Sequence, residues 1–135
     1  MARVLEDVGF VHLHVHSSYS LLEGALKIDD LKKQALGDKM PALALTDTNN
    51  LFGALEFSEK LSGAGIQPII GCQMWVTRPG PTGQGVRGAT PKGGPDADQL
   101  VLLVQSEAGY RNLMALVSKA YMETEPGLLP QVKLA

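Results

Sequence analysis

Cysteine is almost missing from this 135-residue chain. The single thiol, Cys72, excludes an internal disulfide and fits a reducing compartment. It stands in the apolar run Pro68–Val76, where a buried inert thiol is the expected state rather than a reactive one. Clustered cations are missing too. Twelve lysines and arginines against 14 acids leave a net charge of -2, and no block of basic residues appears. Phosphate binding depends on such clusters, so this segment is not expected to grip nucleic acid by itself. Long apolar runs are absent: none approaches the roughly 20 residues of a membrane span. The first residues carry Glu6 and Asp7 in place of a basic-then-apolar leader, so no export signal and a cytoplasmic location are expected.

Histidine is scarce as well, but all three copies fall within one short stretch. In Phe10-Val-His-Leu-His-Val-His-Ser-Ser-Tyr-Ser20, Val11, Leu13 and Val15 alternate with His12, His14 and His16. That alternation predicts a strand over 10–16 with three imidazoles on one face, an arrangement suited to a metal-lined cavity. The bland alternative is an exposed polar strand face. At the strand rise of about 3.3 Å per residue, one ion could take neighbouring members of the row but not both ends.

After the turn 17–24, Asp29 or Asp30 is expected to cap a helix ending near Asp38, with Ile28, Leu31 and Ala35 on one face. Ala42–Thr46 reads as a short buried strand, and 47–50 as a strand-to-helix turn. Helix follows from about Leu51 to Leu61, closed by Ser62-Gly63-Ala64-Gly65, and then a strand over Pro68–Val76. Positions 79–98 hold six glycines and four prolines, half of the segment, too few core-forming residues for anything but a mobile surface loop. A strand over Gln99–Gln105 and a helix from Glu107 to about Met122 complete the pattern, the helix presenting Tyr110, Leu113, Leu116, Val117 and Ala120. Alternation of this kind predicts an α/β fold, with a parallel sheet or β/α barrel and its working site at the C-terminal strand ends. His14, His16, Asp47 and Gln73 all lie near such ends. Asp47 is a candidate third metal ligand, although Asp47, Thr48 or Asn49 could equally cap the next helix.

Four stretches together resemble a known family. They are His12-Leu-His-Val-His-Ser-Ser-Tyr-Ser-Leu-Leu-Glu-Gly24, Pro41-Ala-Leu-Ala-Leu-Thr-Asp-Thr-Asn-Asn-Leu-Phe-Gly53, Gly65-Ile-Gln-Pro-Ile-Ile-Gly71 and Gly109-Tyr-Arg-Asn-Leu-Met-Ala-Leu-Val-Ser-Lys-Ala-Tyr121. The resemblance is to the PHP (polymerase and histidinol phosphatase) domain at the N-terminus of bacterial DNA polymerase III alpha subunits, in the pattern of the proteobacterial replicative form. It implies part of a β/α barrel of about seven strands, roughly the first half being present over 1–135. Intact members hold a cluster of zinc or manganese for phosphoester hydrolysis. His14 and His16 match the first metal motif and Asp47 belongs to the second. Thr48 and Gln73, however, stand where intact members have a histidine and a glutamate, and both are neutral.

The resemblance therefore implies a vestigial metal site with no catalytic residue in this segment and no cofactor beyond residual zinc or manganese. The whole polypeptide would be a DNA-directed DNA polymerase using magnesium in a domain absent here. The segment would stabilise that chain and help dock the proofreading exonuclease subunit, while the sliding clamp and DNA would be met by the absent domains; no membrane is involved. The alternative from another class is a metal-dependent phosphoesterase or proofreading exonuclease acting through His14, His16 and Asp47. A freestanding α/β domain with a small ligand is a third possibility. Half a barrel leaves open sheet edges, so self-association of these 135 residues is also expected.

Overall fold

The computed structural model describes residues 9–77 and 97–133. Within them the chain forms α1 (Ile28–Gly37), β1 (Ala42–Leu45), α2 (Ala54–Gly63), β2 (Gln67–Thr77), β3 (Ala97–Leu103), α3 (Glu107–Glu123) and β4 (Gln131–Lys133). It is a mixed α/β structure, a four-stranded sheet with three helices among the described residues. The 79–98 loop expectation lies outside the described residues up to position 96, and its last two positions, Ala97 and Asp98, belong to β3 instead.

Long β2 is the spine. Its first half pairs in parallel with β1, Ala42 to Leu45 opposite Gln67 to Ile70. Its second half takes β3 on one side and β4 on another, Thr77 lying opposite both Ala97 and Lys133. β3 runs antiparallel, which corrects the all-parallel expectation. Strand direction is set by pairing across the sheet, which periodicity along either strand does not encode. β4 was not anticipated: Gln131–Lys133 is three residues long, too short to show a period.

Two apolar layers cover the sheet. Ile28, Leu31 and Ala35 of α1 and Phe57 and Leu61 of α2 close on Leu43 and Leu45 of β1. Leu113 and Ala120 of α3 close on Cys72 and Met74 of β2. The helical faces read from the sequence are therefore the buried ones. The predicted cap is not observed: Lys27 holds the N-cap position of α1 without a side-chain bond, while Asp29 and Asp30 sit in the first turn, where their charge meets the positive helix end. α2 starts at Ala54 rather than Leu51, because the Phe52 N–H bonds Asn50 Oδ1 and the Ala54 N–H bonds Leu51 O in a tight turn ahead of the helix. None of Asp47, Thr48 and Asn49 caps it.

Residues 10–16 do not form a strand, and the chain bends at His14. They run along β1 through two backbone bonds, Ala44 N–H to His12 O (3.0 Å) and Thr46 N–H to Val15 O (2.8 Å), and the Thr46 hydroxyl bonds both the N–H and the O of Val15. Three residues of this segment are thus set against two of β1, as at a bulge, and the two-residue alternation is lost between them. The three histidines consequently do not share a face. His12 lines a hollow of about 200 Å³ beside α1 together with Val15, whereas His14 and His16 stand with rings 5.2 Å apart, edge to face. No helix among the described residues is long and apolar enough to cross a membrane.

Candidate functional site

The turn after His16 is wound tightly by its own backbone. The Ser20 N–H bonds Ser17 O, the Glu23 and Gly24 N–H groups both bond Ser20 O, and Ser18 N–H reaches Leu26 O. Asp47, at the end of β1, locks this turn from below. Its Oδ1 accepts from the Ser17 N–H and the Ser20 hydroxyl, and its Oδ2 from the Ser17 hydroxyl, each at 2.7 Å. The carboxylate is 1 % exposed, so three short bonds replace its lost hydration. Its lone pairs are directed at the serines, and its role here is to hold the turn.

Gln73 reaches the same level from β2. The β1–β2 ladder continues past the strand end, with Gln73 N–H bonding Asp47 O and Asn49 N–H bonding Gln73 O, so Thr48 and Gln73 lie opposite each other. Successive side chains on β2 alternate: Cys72 and Met74 enter the α3 layer, and Gln73 points the other way, toward the histidines.

A continuous polar chain results. His14 Nε2 bonds Gln73 Oε1 at 2.5 Å, and Gln73 Nε2 donates to Thr48 Oγ1 at 3.3 Å. The Thr48 hydroxyl donates to Glu23 Oε2, and the same oxygen lies 3.2 Å from His16 Nδ1. Because Gln73 uses its amide nitrogen on Thr48, its oxygen must accept, which fixes a proton on His14 Nε2. His14, Gln73, Thr48, Glu23 and His16 thus form a horseshoe whose two ends touch through the imidazole rings.

The structure brings together His14, His16 and both residues that replace the expected ligands, and it adds Glu23. Glu23 was missed because it stands seven residues beyond His16, a spacing with no meaning until the 17–24 turn folds it back. Asp47 joins the site through its backbone and through Ser20, whose hydroxyl also accepts from Thr48 N–H at 3.0 Å. His12 is elsewhere.

Among the described residues no group of three or more histidine, cysteine, aspartate or glutamate side chains is arranged to hold a metal ion. The donor chemistry agrees. A ligating imidazole needs a free lone pair, and with His14 Nε2 donating to Gln73 only its Nδ1 keeps one. The available anions are Glu23, held by Thr48 and His16, and Asp47, held by the serines. These residues do not fit a multi-metal phosphoesterase cluster. One nitrogen remains over: His16 Nε2 is buried with no hydrogen-bond partner. Cys72, behind the site, is buried, and burial pushes its thiol up to about 11, so it stays protonated and donates toward Asp47 O.

A family model described as "PHP domain" matches residues 12–134. The DNA polymerase III subunit alpha of Caulobacter vibrioides is 47% identical over 134 residues, covering 96% of this chain and 11% of that protein. The same subunit of Treponema pallidum is 47% identical over 116 residues, 86% of this chain and 10% of that protein. An error-prone DNA polymerase of Symbiobacterium thermophilum is 41% identical over 128 residues, 95% of this chain and 10% of that one. The chain therefore spans about a tenth of the length of these relatives.

Proposed function

The chain belongs to the PHP domain family, and from that membership we propose that it is the N-terminal PHP segment of a DNA polymerase III alpha subunit, working in DNA replication as a structural and docking module with a degenerate metal site. The observation that carries this reading is the horseshoe itself. At the positions where the resemblance implies metal ligands, this chain has neutral Thr48 and Gln73, and those two side chains bridge His14 to Glu23 and His16 through hydrogen bonds. The hydrogen bonds among these side chains tie three chain segments together. Polymerisation, with its magnesium, falls to other domains of the longer chain, and so do the sliding clamp and DNA. The partner this segment would help dock is the proofreading exonuclease subunit.

One observation favours a second reading, a metal-dependent phosphoesterase or exonuclease: the buried, unpartnered His16 Nε2. Metal content decides between the two. The chain is purified without chelator beside a His14→Ala/His16→Ala variant, and both are analysed for zinc and manganese by mass spectrometry. Neither protein is expected to carry stoichiometric metal, and the native chain is expected to bind the exonuclease subunit without hydrolysing a phosphodiester. Near-stoichiometric metal lost in the variant, with turnover, would replace the scaffold reading by the second.

A further inference from the structure

We draw no further inference here: the strongest candidate, the apolar surface patch that Leu21 and Leu22 form at the tip of the 17–24 turn, carries nothing because nothing in the structure shows what covers it.

Discussion

A carboxylate that is 1 % exposed survives only if its neighbours replace water, and Asp47 has three donors on the turn it faces. Removing it strands the Ser17 N–H and the hydroxyls of Ser17 and Ser20, and frees the turn that carries Glu23. Asp47→Ala is therefore expected to destabilise the chain by about 3 kcal/mol or more, a full desolvation penalty for several donors rather than the net worth of one bond. Urea unfolding followed by circular dichroism measures it; a loss under about 1 kcal/mol would mean the turn holds by its backbone alone. At this scale the sequence placed His14, His16, the Asp47 turn and Gln73 near strand ends, a local fact, and the structure joins His14, Gln73, Thr48 and His16 through hydrogen bonds and Glu23. For Asp47 the helix-cap alternative is not what the structure shows, and its serine partners were not legible because they lie 27 and 30 residues earlier.

Among the elements, β2 sets the geometry of the site by changing partners between Ile70 and Gly71. The change is possible because position 71 has no side chain. A Cβ there would lie 2.5 Å from Leu102 O and 2.9 Å from the Leu103 side chain, closer than backbone oxygen tolerates. Gly71→Ala is expected to cost about 1–3 kcal/mol and to accelerate amide exchange selectively in β3, while Gly63→Ala, whose added methyl meets nothing within 4 Å, stays near neutral. Equal protection of β3 in the two variants would show that the strand does not depend on that close approach. Helix faces were legible because burial repeats every 3.6 residues along one segment. Strand direction was not, since it depends on the path between strands. The bulge at 12–15 escaped for a related reason: its extra residue is defined only against β1, and the His/apolar alternation concealed it.

At the scale of the whole molecule, the sheet formed by the described residues is an open one. β3 pairs with β2 alone among the described residues. Leu100 and Leu103 on that strand are 48% and 38% exposed. An edge strand with bare leucines invites a further strand, and in a chain of the relatives' length other segments are at hand to cover it. In 135 residues alone the nearest supply of strand is another copy. We expect light scattering after size exclusion to show a mass that rises with protein concentration, and a lysine at Leu100 to suppress the rise, since a charge on an edge strand opposes pairing. Met122 on α3 provides the control: Met122→Lys should leave this association unchanged. A stable monomer across the concentration range would mean that the described edge is already protected within the chain, and the case for the longer chain completing this sheet would then rest on the length of the relatives alone.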